Sequence, residues 1–211
     1  MVAVLSAVTA LGLSAWIMTT PWFTRLAAPG QVDSVRAGLT QERMVELAEE
    51  VRVFVTDGDA PALPMVVDGR PAFDDTAVSH LVDVRNVVIA SRWVTLVAAA
   101  LLLAAGLYST FLGRRAEYVA GLKWGGLSLL GGIGMLLLTG LFDFDSLFVA
   151  FHGLFFQPGT WTFPADSLLI LVFPTDFWIL AGAITGVVAA AMGLALVLVS
   201  RASCTGTNVH K

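Results

Sequence analysis

Two histidines are the side chains in this sequence best suited to acid–base chemistry. His80 lies in SHLVDVRNVV and His152 in FDFDSLFVAFHGLFFQ, in two separate segments of the chain. The third histidine, His210, is next to the last residue, and we expect it to belong to a tail. Because an ordinary imidazole has a pKa of about 6.5, His80 and His152 could each accept and return a proton near neutral pH.

Acidic and basic residues near His80 could complete a site. On a helix, Asp83 follows His80 by three residues and could hold one of its ring nitrogens. Arg85 follows His80 by five residues, so its side chain points roughly 140° away around the helix axis. It could share the site only if a ligand wraps around the helix or a neighbouring element bends toward it. For either histidine alone, a hydrogen-bonded position at the membrane interface is an equally good explanation. Two histidines in so apolar a chain favour a functional site.

The segment around His152 offers a weaker pattern for metal binding. Asp145 and Phe148 precede His152 by seven and four residues, so the three share one helix face. A metal ion could be held by Asp143, Asp145 and His152. The two aspartates are better explained as solvated acids at the end of a membrane-spanning helix. The sequence has no HExxH motif, no glycine-rich phosphate loop after a strand and a single cysteine. We therefore expect no metal site.

Composition places the chain in a membrane. Hydrophobic residues make up 57% of its 211 residues and charged residues 13%, with a mean hydropathy of +0.81. Soluble domains are about 45–50% apolar and about 25% charged. A soluble enzyme and a disordered chain are thus excluded. The net charge of −4 also excludes a nucleic-acid binder.

Four apolar stretches are long enough to cross a bilayer, which needs about 20 helical residues. We predict an all-α integral membrane protein with spans at residues 2–20, 93–113, 124–142 and 177–200. The first stretch lacks a basic leader and a clear cleavage site, so we expect a retained helix rather than a signal peptide.

The distribution of Lys and Arg predicts the orientation. The loop between spans two and three has three basic residues and one acid, and the C-terminal tail has two basic residues and no acid. Residues 21–92 carry eleven acids and seven arginines, and residues 143–176 carry four acids and no base. Both termini are therefore expected in the cytoplasm. Both long links are expected on the extracytoplasmic side.

The first link, residues 21–92, is predicted to form a small, mainly helical cap. Thr40 can cap a helix reading TQERMVELAEEVRVFV. Asp68-Gly69 favours a tight hairpin turn, and a second helix should begin near Asp74 or Asp75 and continue into span two. The apolar stripe of the first of these helices consists of Met44, Leu47, Ala48, Val51 and Val55.

The second link, residues 143–176, is aromatic and is interrupted by Pro158, Pro164 and Pro174. It contains no run long enough to span. We expect it to lie at the outer membrane interface or to dip partway into the bilayer.

The stretch FHGLFFQPGTWTFPADSLLILVFPTDFW, preceded by SHLVDVRNVV, resembles the lipoprotein intramolecular transacylase (Lit) family of bacterial membrane proteins. The resemblance covers the whole chain in architecture. It implies a substrate whose N-terminal cysteine carries a diacylglyceryl thioether and a free α-amine. It also implies that the sn-2 acyl chain moves from the glycerol oxygen to that amine, without a cofactor, to give an N-acyl lyso-lipoprotein.

The resemblance also implies roles for the candidate residues. His80 and His152 would divide the base and acid duties, Asp83 would orient His80, and Arg85 would stabilise the developing oxyanion. Four aromatic residues would line an acyl groove, although a role as membrane anchors suits them equally well: Phe155, Phe156, Trp161 and Phe163. The partners would be the diacylated lipoprotein and membrane lipid, with the oligomeric state left open.

Two alternatives remain at this stage. The same site could use water as the acceptor, which would make the protein an outward-facing lipid or lipoprotein esterase. The chain could also be a non-enzymatic membrane accessory protein. A transporter is disfavoured, because no predicted span has a charged residue near its middle.

Overall fold

The computed structural model describes the backbone of residues 1–205 and the side chains of residues 1–202. His210 lies outside the described residues. The elements in chain order are α1 (Val2–Trp16), α2 (Pro21–Ala27), α3 (Ser34–Ala37), α4 (Gln41–Thr56), β1 (Val66–Val67), β2 (Arg70–Pro71), α5 (Asp75–Phe111), α6 (Arg115–Phe142), α7 (Phe144–Phe155), α8 (Leu168–Val172) and α9 (Thr175–Thr205).

Among the residues that the structure describes, four segments are long and apolar enough to cross a membrane, which agrees with the predicted all-α class. They are Val2–Thr19, Asp75–Phe111, Arg115–Phe142 and Thr175–Ala202. The predicted helix from Asp74 or Asp75 does continue without a break into the second apolar stretch. The Asp74 carboxylate caps its start by accepting from the backbone N–H of Ala77 at 2.8 Å.

The chain divides into two compact units. The first, which we call the helical bundle, comprises residues 1–16, 91–142 and the segment from 184 onward. Its core is small and contains Ala10, Leu129, Ile133 and Ala189. Helices α6 and α9 approach closely at Gly126, where an added Cβ would lie only 2.5 Å from the carbonyl oxygen of Gly193. Such small-residue contacts are typical of helices packed in lipid.

The second unit, which we call the cap, comprises residues 17–90 and 143–183. Helix α4 is its central element, and the Thr40 hydroxyl caps it by accepting from the N–H of Arg43 at 3.2 Å. The helix buries Met44, Leu47, Ala48, Val51 and Phe54. The predicted stripe is thus right except at its end: Phe54, three residues after Val51, is buried, whereas Val55 is only half-buried.

The predicted hairpin is present in the cap. Strands β1 and β2 pair antiparallel, with Val67 opposite Arg70. Asp68 and Gly69 between them both have positive φ, 49° and 79°. Positive φ at two successive turn residues is the type I′ geometry that Asp-Gly favours, because glycine has no Cβ to clash there.

Both predicted links contribute to the cap. The second link forms α7 and α8, and the short α8 buries four apolar side chains in the same core as α4: Leu168, Leu169, Leu171 and Val172. Prolines before and after α8 limit its length. This part of the aromatic segment is therefore a core element of the cap rather than a surface strip.

Candidate active site

The two candidate histidines come together within the cap. His80 lies in the second turn of α5 and His152 in the last turn of α7, and their side chains are 8% and 9% exposed. Their ring centroids are 6.4 Å apart, with an angle of 27° between the ring planes. Residues 72 positions apart in sequence thus form one buried pair.

One ring nitrogen of His152 is held by its own helix. Its Nδ1 lies 2.9 Å from the carbonyl oxygen of Phe148. Because a carbonyl oxygen only accepts hydrogen bonds, Nδ1 must carry the hydrogen, and in the neutral ring Nε2 keeps its lone pair. This arrangement leaves Nε2 as the basic atom of His152.

Aromatic rings enclose the histidine pair. Phe156 and Phe163 lie 4.9 and 5.5 Å from His80, centroid to centroid. Phe148 and Trp161 lie 3.9 and 4.8 Å from His152. The pair is therefore largely shielded from water.

Burial has an electrostatic effect on His152. It lowers the pKa of the imidazole, because a charged ring is poorly solvated there, and the Phe148 carbonyl offsets only part of this effect. His152 is therefore neutral at neutral pH and able to accept a proton.

Two polar atoms of this enclosure are buried without a hydrogen-bond partner among the described residues. They are Nδ1 of His80 and Nε1 of Trp161. Unsatisfied buried polar atoms are rare in folded proteins and call for an explanation, such as a bound substrate.

The structure does not bring all predicted site residues to the histidines. Asp83 is exposed, and no hydrogen bond among the described residues joins it to His80. Arg85 donates from Nε to the Phe54 carbonyl at 2.7 Å, and its guanidinium lies 4.0 Å from the centre of the Phe54 ring. That carbonyl belongs to the last turn of α4, where helix carbonyls lack partners in the helix. The proposed orienting and oxyanion roles remain predictions.

Of the four predicted acyl-lining residues, three contact the histidines. Phe156, Trp161 and Phe163 do so directly, whereas Phe155 is 49% exposed and its ring lies against Phe151 and Phe156. Sequence reasoning did not assign a role to Phe148, whose ring and carbonyl both contact His152. The four-residue spacing on one helix face was the signal that could have identified it.

The acids near His152 have a structural explanation. The Asp143 carboxylate caps α7 by accepting from the N–H of Ser146 at 2.9 Å. Hydrogen bonding with the Ser146 side chain, and then with its backbone N–H, lowers the pKa of Asp143. Among the described residues, no group of three or more His, Cys, Asp or Glu side chains is placed to hold a metal ion.

The chain is similar in fold to a solved bacterial membrane protein. It matches the in meso structure of the membrane integral lipoprotein intramolecular transacylase Lit from Bacillus cereus with a TM-score of 0.84 and 16% identity. The match covers 98% of this chain and 94% of that chain. Two variants of that protein, with a histidine mutated to arginine and to alanine, match with TM-scores of 0.79 and 0.77, also at 16% identity. The match to the arginine variant covers 100% of this chain and 92% of that chain. The match to the alanine variant covers 98% of this chain and 91% of that chain. No curated protein matches the sequence significantly.

Membership rests on the sequence rather than on this likeness of fold, which at 16% identity shows architecture alone. The family model for the lipoprotein intramolecular transacylase Lit matches residues 1–178, most of the chain. The matched range contains the whole histidine pair and its aromatic enclosure. This membrane protein therefore belongs to the lipoprotein intramolecular transacylase Lit family.

Proposed function

We propose that the protein moves the sn-2 acyl chain of a diacylglyceryl-cysteine lipoprotein from the glycerol oxygen to the cysteine α-amine. The observation that carries the proposal is the buried pair of His80 and His152, with Nε2 of His152 free to accept a proton. The product is an N-acyl lyso-lipoprotein. Atoms balance within one molecule, because an N–C bond replaces an O–C bond and a single proton moves from nitrogen to oxygen.

His152 serves as the general base in this proposal. An α-amine has a pKa of about 8, so it is mostly protonated at neutral pH. It must lose that proton before it can attack an ester. As the amine nitrogen bonds to the carbonyl carbon, Nε2 of His152 takes up the proton that the nitrogen releases. His80, 6.4 Å away between ring centroids, then relays that proton: it accepts the proton from His152 at one ring nitrogen and releases one from the other to the glycerol oxygen as the bond from oxygen to carbon breaks.

The aromatic enclosure supports transfer rather than hydrolysis. The rings of Phe156, Phe163 and Trp161 surround the histidines, so water has little access to a tetrahedral intermediate formed there. The amine and the ester are parts of one molecule. Holding them in contact can supply about 7–11 kcal/mol of the barrier reduction, so few catalytic groups suffice.

The proposal places the site on the extracytoplasmic side of the bacterial cell membrane. The excess of basic residues in the 114–123 loop and in the C-terminal tail supports cytoplasmic termini by the positive-inside rule. The two acidic links, which together form the cap, then face outward, where lipoproteins mature.

Mass spectrometry of a co-expressed lipoprotein tests the proposal. The host should make only diacylglyceryl lipoproteins, and tandem fragmentation should locate each acyl chain on the N-terminal lipopeptide. We expect one chain on the α-amine and one on glycerol, with the total mass unchanged. A variant with both His80 and His152 changed to alanine, at equal membrane abundance, is the control and should leave the substrate unaltered.

The same measurement separates the alternatives. Loss of one acyl mass with release of fatty acid would overturn the proposal in favour of an esterase. An unaltered lipopeptide with the wild-type protein would overturn it for that substrate. Transfer that persists in the double-histidine variant would contradict the assigned chemistry and leave the histidines as structural residues.

A further inference from the structure

The indole N–H of Trp161 is buried and unused. Its Nε1 atom is shielded from solvent and has no hydrogen-bond partner among the described residues. An indole nitrogen only donates hydrogen bonds, so no rotation of the group satisfies it in another way. Leaving such a donor buried carries the full desolvation penalty of the group, which a hydrogen bond to a substrate oxygen would remove.

The position of this donor matches a need of the proposed reaction. The Trp161 ring lies 4.8 Å from the His152 ring between centroids, so the indole borders the same enclosure in which the proposed substrate would meet His152. When the amine attacks, the carbonyl oxygen gains negative charge and needs a hydrogen-bond donor. Catalysis is most effective when that donor is already in place and shielded from water.

Arg85, the charged oxyanion donor that the sequence analysis predicts, binds another group in this structure. Arg85 uses Nε to bind the Phe54 carbonyl at 2.7 Å and stacks on the Phe54 ring. Moving its guanidinium to the histidines would break both contacts. Trp161 needs no such rearrangement, because its N–H has no hydrogen bond to another described residue to give up.

We propose that Trp161 is a catalytic residue whose Nε1–H donates a hydrogen bond to the oxyanion of the tetrahedral intermediate. This inference rests on the proposed acyl transfer. The carbonyl π-electrons move onto oxygen as the N–C bond forms, and the indole N–H stabilises that charge. The electrons return when the bond from carbon to the glycerol oxygen breaks. Trp161 itself neither gains nor loses a proton.

Replacing the indole nitrogen alone gives the sharpest test. Trp161→Phe removes the N–H and part of the ring, and 3-benzothienylalanine at position 161 keeps the ring shape while replacing N–H with sulfur. With a synthetic diacylglyceryl-cysteine peptide in detergent, both changes should lower kcat on the order of 10²-fold. KM should change by less than about threefold, because the donor acts on the oxyanion rather than on the bound ester.

Trp178→Phe is the matched control. Trp178 is also in the cap, but its Nε1 already donates to the Phe173 carbonyl at 3.1 Å. Removing this N–H should leave kcat unchanged. Full activity of the benzothienyl variant would overturn the inference, even if Trp161→Phe were inactive because of altered packing.

A binding measurement keeps the inference separate from the proposed function. The probe is a peptide whose sn-2 ester is replaced by a phosphonate, so that an anionic oxygen stands for the oxyanion. The benzothienyl variant should bind it at least about tenfold more weakly than wild type, while an ether analogue should bind both equally. If wild type forms no amide yet shows this difference, the proposed function fails and the donor stands. Equal phosphonate binding by both proteins overturns the donor alone.

Discussion

The cap and the helical bundle fill their interiors with different side chains. In the cap the largest fully buried side chains include Phe23, Phe73, Met44 and Leu47. In the bundle the buried apolar cluster contains two alanines, Leu129 and Ile133, and many larger apolar side chains point outward. Phe111 and Leu141, for example, are 85% and 81% exposed.

The difference follows from the surroundings of each unit. A cap that faces water, as the positive-inside rule predicts, has its large apolar side chains driven inward, since burial there removes them from a poor solvent. Lipid is as apolar as leucine, so the bundle gains nothing by hiding its large side chains and relies on close contact between small residues. The buried histidine pair lies in the cap, where a large-residue core can hold rings in fixed positions.

The largest expected effect is on chemistry in the cap. His80→Ala or His152→Ala should lower acyl transfer by about 10²–10⁴-fold, the usual contribution of a general acid or base. The rate of acyl transfer is measured as N-acyl product formed per unit of each variant present in the membrane. Asp145→Asn, an exposed change on the same helix as His152, is the control and should remain active. Normal turnover in either histidine variant would remove that residue from the mechanism.

The second prediction concerns the large-residue core of the cap. Leu47→Ala should reduce stability by about 2–5 kcal/mol, because Leu47 is fully buried and its loss leaves a cavity. The melting temperature in detergent would report the change. Val35→Ala, at an 89% exposed position, should leave it nearly constant. Equal melting temperatures for the two variants would contradict a packed cap.

The third prediction concerns the small-residue packing of the bundle. Gly126→Ala should cost about 1–3 kcal/mol, because the new Cβ meets the backbone oxygen of Gly193. Gly131→Ala on the same helix meets nothing within 4 Å and should be harmless. If both alanines are tolerated to the same degree in detergent melting, α6 and α9 do not pack as closely as described.

The fourth prediction distinguishes two roles for Arg85. Arg85→Ala should lower stability by about 1–2 kcal/mol, through loss of the charged hydrogen bond to Phe54 and the contact with its ring. Turnover per folded molecule should change little. A fall in kcat at unchanged melting temperature would instead support the oxyanion role inferred from the family resemblance.

The smallest expected effect is a pH dependence of cap stability. Burial lowers the pKa of His152 below 6.5, so the unfolded chain takes up a proton more readily than the folded one. The associated stability is fully present above pH 6.5 and is lost as the pH falls through the lower folded-state pKa. Wild type should therefore lose more melting temperature between pH 7.5 and 5 than His152→Asn does. Parallel pH profiles would argue against a buried, neutral His152.

Local sequence patterns predicted most of the fold. Four apolar stretches, the Thr40 cap and the Asp68-Gly69 turn depend on nearby residues, so each could be predicted from the sequence alone. The choice of Phe54 over Val55 as the buried residue depends on where the partners of α4 lie. A one-dimensional pattern does not contain that information.

The sequence singled out the two histidines but not the groups that contact them. His80 and His152 stood out because polar groups are scarce in this chain. The pairing of Arg85 with Phe54 joins residues 31 positions apart, and no local spacing predicts it. The helix-face argument for Asp145 was valid as geometry, but Phe148 on the same face supplies the bond to His152 through its backbone, which side-chain patterns do not reveal.

For the proposed role of His152 as the base, its bond to the Phe148 carbonyl has a consequence for how long the proton is held. In many hydrolases a carboxylate orients the histidine and also retains the proton by attraction between opposite charges. A carbonyl is uncharged, so it fixes the ring while providing only a dipole to the imidazolium. In the proposed reaction, a proton accepted by Nε2 of His152 would be held less tightly than beside a carboxylate, and so passed on more readily. Such a short-lived acid suits a reaction that must pass one proton onward and return the enzyme unchanged after every turnover.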